Sequence, residues 1–472
     1  MAQHLLFVTG KLAEKSLARV LGDLEEPGFT WEIRVPGVAV AALLTADMLK
    51  RRLGAVDGFD RIVLPGRCRG DLDDLTRHFG RPFERGPEEL KDLPGHFGRR
   101  ARARQIGRTD VRLFAEIVDA PRISVDELLA RARRYRADGA DVIDVGCLPD
   151  TPFPHLEDCI AALRGEGFTV SVDSLDRREL ERGIGAGADY CFSLTGETLE
   201  LAEHGECIPV LIAEDPRDLD ALCRTIDRFA AYGRPFYADP VLDPVHYGFT
   251  ASLVRYAELR RRFPEVEIMM GIGNLSELTH ADTLGINTLL MGVVSELRVS
   301  AVLTTEVSAH CRSVIREVDR ARRVMFAARE DNTPPRHIDE SLLALHERHP
   351  FVYSDGEIAE FAREVRDDNF RIQVNASGIH VYNRRSLLKA EDAYTLYPSL
   401  EVADDAPHAF YLGLELARAE IAWQLGKRYT QDEELDWGCV RPRPHDDKRH
   451  FAVERSTLKA RRARRTASDD SA

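Results

Sequence analysis

The sequence predicts an α/β protein whose centre is a (β/α)8 barrel of the TIM type, flanked by an N-terminal Rossmann-like α/β domain and a C-terminal α+β domain. Residues 139–150 hold an apolar run that carries Asp144 and breaks at Gly146, the pattern of a buried parallel strand opening into a loop. Comparable runs end at Asp173 and at Asp239. From residue 111 onward strand and helix patterns alternate, and eight such units over about 200 residues match the size of a compact barrel. In a barrel the carboxyl ends of the strands share one mouth, so three acids far apart in sequence would converge. Each acid taken alone is equally an N-cap for the helix that follows it, and a doubly wound open sheet is the alternative arrangement of the same strands.

A chain of 472 residues exceeds one ordinary domain. The expected segments are 1–108, an α/β domain; 109–328, the barrel; 329–455, the α+β domain; and 456–472, a disordered tail. An apolar fraction of 44% with 31% charged residues describes a globular chain able to build cores. A formal charge of −14 argues against a nucleic-acid surface, which needs clustered Lys and Arg, and favours small-molecule chemistry. The eight cysteines show no metal-like spacing and read as reduced thiols of a cytoplasmic protein. No apolar run of membrane length occurs.

In order, the first domain has strands at 4–8, 31–35 and 61–64, with helices at 13–21 and 40–53. The loops after the first and third strands, Thr9-Gly10-Lys11 and residues 65–71, lie where open α/β sheets bind ligands. Gly10 and Lys11 read either as a phosphate cradle at a helix start or as a plain tight turn. Residues 83–95 close this region, and the basic run 99–104 reads as a linker or a solvated helix face. Barrel strands are expected at 112–118, 141–145, 169–172, 190–194, 208–212, 235–238, 267–270 and 288–291. Helices are expected at 125–137, 156–164, 176–185, 216–231 and 250–262. Thr333-Pro334-Pro335 signals a linker. Beyond it, alternation at 370–374 and 378–382 around Asn375-Ala376-Ser377 predicts a β-hairpin. A helix at 408–425 is stopped by Gly426, and its Tyr411, Leu412, Leu416 and Trp423 form a stripe that faces either a core or a partner.

The barrel stretch, about 111–323, resembles the pterin-binding family of dihydropteroate synthases and pterin-dependent methyltransferases. The residues that carry the likeness are the segments around Asp144 (GADVIDVG), Asp173 (VSVDS) and Asp239 (ADP). Motifs at the start (VTGKLAEKSL), in the first domain (LPGRCRGDL) and near the end (HAFYLGLELARAEIAWQLGKRY) are similar to a narrower group: dihydropteroate synthase-like proteins of tetrahydromethanopterin pathways in archaea and one-carbon-metabolising bacteria.

The resemblance implies a transferase of pterin cofactor synthesis that joins a hydroxymethyl-dihydropterin pyrophosphate to an arylamine of the ribosyl-aminobenzene phosphate type. Its substrates would be the reduced pterin pyrophosphate and the arylamine, with Mg²⁺ accompanying the pyrophosphate. Asp173 and Asp239 would contact the pterin, with Asp144 organising the pocket as the third catalytic acid. Ser193 and Asn274 join the substrate-binding set, and Glu116 is the expected metal or pyrophosphate-side acid. A carboxylate suits the pterin because it accepts two adjacent N–H donors at once.

The chain departs from the synthase pattern. The fourth strand lacks Asn-Asp, Asn274 lies where a Lys is usual, and the stretch 290–293 has no Arg-x-His. Leaving-group cations are therefore expected from Lys11, Arg67 and Arg69 of the first domain, or from Arg298. The alternatives are a methyl-transfer barrel working with a corrinoid partner and a non-catalytic pterin-binding scaffold. No nucleic-acid or membrane partner is expected, and a homodimer is one open assembly state.

Overall fold

The computed structural model describes residues 3–24, 28–87, 90, 93–97, 106–203 and 206–441. The expected tail at 456–472 and the basic run at 99–104 lie outside the described residues. The chain forms two compact units, 1–111 with 322–339 and 112–321 with 340–472. The stretch 329–339, expected in the C-terminal domain, thus groups with the first unit.

The first unit holds four parallel strands: β1 (Gln3–Val8), β2 (Phe29–Arg34), β3 (Arg61–Leu64) and β4 (Phe83–Arg85), in the order β2-β1-β3-β4. Side chains alternate across β1, so Leu6 and Val8 join one core with Leu49, Leu75 and Ile62, while Leu5 and Phe7 join another with Leu17 and Leu21. The sheet is therefore covered on both faces. The helix after β1, Glu14–Gly22, lies on one side, and those after β2 and β3, Ala46–Arg52 and Leu72–Phe79, lie on the other. The expected helix at 40–53 is broken into a 3-10 turn, Ala41–Leu43, and the helix Ala46–Arg52. Leu44 is extended and its carbonyl accepts from Arg69 N, while Thr45 caps the helix through Met48 N at 3.3 Å.

The barrel closes from eight parallel strands: β5 (Arg112–Ile117), β6 (Val142–Gly146), β7 (Val170–Asp173), β8 (Tyr190–Leu194), β9 (Ile208–Leu211), β10 (Tyr237–Ala238), β11 (Glu267–Gly271) and β12 (Ala301–Thr305). The last corrects the expected eighth strand at 288–291. Those residues belong to the helix Thr283–Glu296, whose buried positions Asn287, Leu290, Met291 and Val294 recur at three and four residues. A short apolar run suits either structure, and the strand pattern lay further on, at Ala301–Thr305.

Inside the barrel, period-two alternation stacks the side chains in layers. Phe114, Val142, Tyr190, Phe192, Val210, Tyr237, Met269 and Ala301 form an apolar core. One step nearer the carboxyl ends, in the register Phe114↔Val142 then Glu116↔Asp144, the inward positions turn acidic.

The C-terminal part of the second unit carries the antiparallel sheet β13 (Arg371–Asn375), β14 (Gly378–Tyr382) and β15 (Leu387–Ala390), with the helices Asp355–Glu364 and Ala406–Leu425. Gly426 ends the long helix at φ +61°, a left-handed cap. Leu412 and Leu416 are buried against this sheet, with Tyr411 and Trp423 packed beside them, so the stripe faces a core rather than a partner. Among the described residues no helix is long and apolar enough to cross a membrane.

Candidate functional site

Glu116 on β5, Asp144 on β6 and Asp173 at the end of β7 come together because neighbouring parallel strands place them in adjacent register: Glu116 opposite Asp144, and Gly146 opposite Asp173. One carboxylate oxygen from each lies within 4.8 Å of the others. Gly146 makes the approach possible, since a Cβ there would sit 2.7 Å from Glu116 Oε1 and 3.1 Å from the Val118 backbone. Asp144 is fully buried. Its Oδ1 accepts from Ser171 Oγ at 2.5 Å, while its Oδ2 has no hydrogen-bond partner. Asp173 accepts from Ser193 Oγ at 2.7 Å. Ser193 stands at φ +62° where β8 loses register between Cys191 and Leu194, a bulge that re-aims its hydroxyl.

Three acids this close and this buried are not all ionised alone. Burial, reinforced by the charge of Asp173, pushes Glu116 up to about 8. Asp144 is raised well above the usual carboxylate range by burial, then by Asp173 and Glu116, against which Ser171's hydrogen bond is a smaller opposing effect. Burial also raises Asp173, offset in part by Ser193. Among the described residues none of the three is ion-paired.

Asp239 follows β10. Its Oδ1 accepts from Tyr256 Oη at 2.6 Å and from Val241 N at 2.7 Å, which fixes the carboxylate plane. Burial raises it to about 6, against the opposing effect of these bonds. Tyr256, fully buried on the helix Phe249–Arg262, is a positioning group that sequence reasoning missed. The residue lies 17 positions beyond Asp239 and carries no local signal of its role.

The remaining expected residues are distributed differently. Asn274, on the short helix Gly273–Glu277 after β11, is exposed and donates to the Leu242 carbonyl at 3.1 Å. Arg298 lies three residues before the first residue of β12 and so sits toward the amino end of the barrel, opposite the acids; it is corrected as a leaving-group residue. The loop after the true eighth strand carries His310 and the cation Arg312, on the carboxyl side that the misplaced strand concealed. His310 Nε2 lies 3.1 Å from the Ser276 carbonyl, and Arg312 is exposed.

Lys11, Arg67 and Arg69 belong to the first unit and are exposed. The phosphate-cradle reading of Gly10-Lys11 fails: Lys11 N and Leu12 N donate to the Val38 and Ala39 carbonyls at 2.9 and 3.1 Å. A Cβ at Gly10 would meet the same backbone at 2.5 Å, so this is a filled turn. Arg69 is held through its main chain by Leu44 and Ala46. All eight cysteines are free thiols.

The fold and this constellation define a parallel (β/α)8 barrel with a buried acidic cluster at its mouth. Residues 3–88 match a family of unknown function, DUF6513. An uncharacterized protein of Methanocaldococcus jannaschii, MJ0107, is 24% identical over 91% of this chain and 98% of its own length. Among solved structures the chain is similar to a dihydropteroate synthase of Yersinia pestis at 16% identity, with a TM-score of 0.38, over 47% of this chain and 94% of that one. It is likewise similar to the Coxiella burnetii dihydropteroate synthase at 14% identity, with a TM-score of 0.39, over 46% and 93%.

Proposed function

We propose that the barrel mouth binds a reduced pterin and acts as a transferase, joining an arylamine to the pterin methylene carbon with release of pyrophosphate. The observation that carries this reading is the convergence of Glu116, Asp144 and Asp173, an acidic site without a protein counter-charge among the described residues. Asp239 supplies a further carboxylate, fixed by Tyr256 and Val241. An aminopyrimidinone edge offers adjacent N–H donors that a carboxylate held this way can accept together.

The triad also fits a hard divalent cation. Its donors are all carboxylate oxygens, and Asp144 Oδ2 is buried without a partner. Glu116, Asp144 and Asp173 would hold the ion, which when bound supplies positive charge for the oxygens of a departing pyrophosphate. Ser171 and Ser193 then keep Asp144 and Asp173 oriented. Asp239, fixed by Tyr256, would hold the pterin while the amine lone pair forms the new C–N bond, the C–O bond to pyrophosphate breaks with its electron pair leaving on the pyrophosphate, and the nitrogen's extra proton passes to solvent. Arg312 offers the barrel a cation on the carboxyl side, a role expected from Lys11, Arg67 and Arg69 of the first domain or from Arg298.

The test is turnover by the full-length protein with hydroxymethyl-dihydropterin pyrophosphate, Mg²⁺ and 4-aminobenzoate or its ribosyl phosphate derivative, monitored by pyrophosphate release. Arylamine-dependent release supports the proposal. Tight pterin binding with no release from either amine would replace it with a binding protein, and methyl exchange with a corrinoid partner would replace it with a methyl carrier.

A further inference from the structure

We infer that the first unit holds its own ligand site, for a small molecule with an apolar ring and one phosphate ester. The inference rests on the first unit alone and does not depend on the barrel reading. The strand order β2-β1-β3-β4, with the helix after β1 on one face and those after β2 and β3 on the other, makes the chain diverge between β1 and β3. At such a switch point the carboxyl ends of parallel strands leave a crevice that neither connection fills.

A cavity of about 650 Å³ opens there, within the ~300–1,000 Å³ usual for small-molecule sites. It is bounded by the last residues of β1 and β3, by the loop Pro65-Gly66-Arg67 and by the segment 331–338. Leu17, Val20 and Val40 give it apolar walls that suit a ring.

The polar groups point to an anion. Thr9 ends β1 in the cavity wall; it is 3% exposed, and among the described residues its hydroxyl makes no hydrogen bond. A hydroxyl in a cavity wall can donate to a molecule bound there. Ser16 contributes a second hydroxyl from the first turn of Glu14–Gly22, whose N-cap position, Ala13, offers no capping side chain. Arg19 is ion-paired with the buried Asp331. Among the described residues the lining includes three arginines, Arg19, Arg67 and Arg336, and two aspartates, Asp23 and Asp331. Hydroxyls, a helix start and guanidinium groups in the lining of an apolar cavity match the several acceptor oxygens of a phosphate monoester.

Calorimetry on the full-length protein tests this with phenyl phosphate, phenol and inorganic phosphate as probes. Phenyl phosphate is expected to bind once per chain, at least about tenfold more tightly than phenol or phosphate alone. Arg67→Ala should weaken it about tenfold or more, and Thr9→Val, which keeps shape, by about threefold to tenfold. Asp239→Asn should leave it unchanged, since that residue lies in the barrel. Equal binding of inorganic phosphate and phenyl phosphate would reduce the site to a surface anion contact and overturn the inference. So would absence of phenyl phosphate binding up to about 5 mM, or loss in Asp239→Asn with Arg67→Ala unaffected.

Discussion

The barrel mouth and the cavity of the first unit occupy equivalent places, the carboxyl ends of parallel strands, yet they are chemically opposite. At the mouth Glu116, Asp144 and Asp173 are packed with raised carboxyl pKa values, and among the described residues none of the three is ion-paired. In the first unit apolar walls meet hydroxyls and arginines. Parallel strand ends provide the location of a site, because their connections leave a crevice there. The residue types at those ends set the ligand each could take: the proposed cation and donor-rich edge in one case, the proposed anion in the other.

The largest expected effect would break the acidic half of this contrast. Glu116→Gln or Asp144→Asn should weaken Mn²⁺ binding, followed by electron paramagnetic resonance, by at least about a hundredfold, since loss of a direct ligand should exceed the ~10–100-fold cost of disturbing an outer-shell partner. Retained binding in both variants would place the ion elsewhere.

Next in size, Asp239→Asn exchanges an acceptor for a donor and should cost about 1.5–3 kcal/mol of reduced-pterin binding by calorimetry, or about ten- to a hundredfold. Unchanged affinity would remove Asp239 from the pterin site.

A third effect sharpens the electrostatic account. Glu116 is raised from 4.5 to about 8, so the folded state holds its proton more tightly than the unfolded chain. The stabilisation this brings is fully present below about pH 4.5 and is lost as pH rises through 8. In chelator, thermal unfolding of Glu116→Gln at pH 8 should therefore show a protein more stable than wild type by about 1–2 kcal/mol, the advantage shrinking toward pH 5. Equal stability at both pH values would contradict the burial argument.

The smallest effect falls on Tyr256→Phe, which removes one bond to Asp239 and should weaken pterin binding by about 0.5–1.5 kcal/mol in the same titration. An effect as large as that of Asp239→Asn would mean that the hydroxyl itself meets the ligand.

The contrast also separates what the sequence made legible from what it did not. Asp144, Asp173 and Asp239 could be read because each interrupts or ends an apolar run, and strand ends in a barrel converge. Glu116 was placed correctly, but its meeting with Asp144 and Asp173 depends on register and on the missing side chain at Gly146, neither of which has a local signature. The eighth strand was misplaced because Thr288-Leu289-Leu290-Met291 is apolar enough for a strand, whereas its burial repeats at helical spacing. That error concealed His310 and Arg312 and left Arg312 uncounted among the barrel's cations. Arg67 was noticed as a cation after a strand, but the cavity beside it is formed with residues 331–338, far along the chain.

The most direct test of the central claim is calorimetric titration of the full-length protein with hydroxymethyl-dihydropterin pyrophosphate, with and without Mg²⁺, in wild type and Glu116→Gln. If the mouth joins a carboxylate-bound pterin to a triad-held cation, Mg²⁺ should tighten wild-type binding by at least about tenfold and leave Glu116→Gln little changed. The same Mg²⁺ dependence in both proteins, or none in wild type, would contradict it.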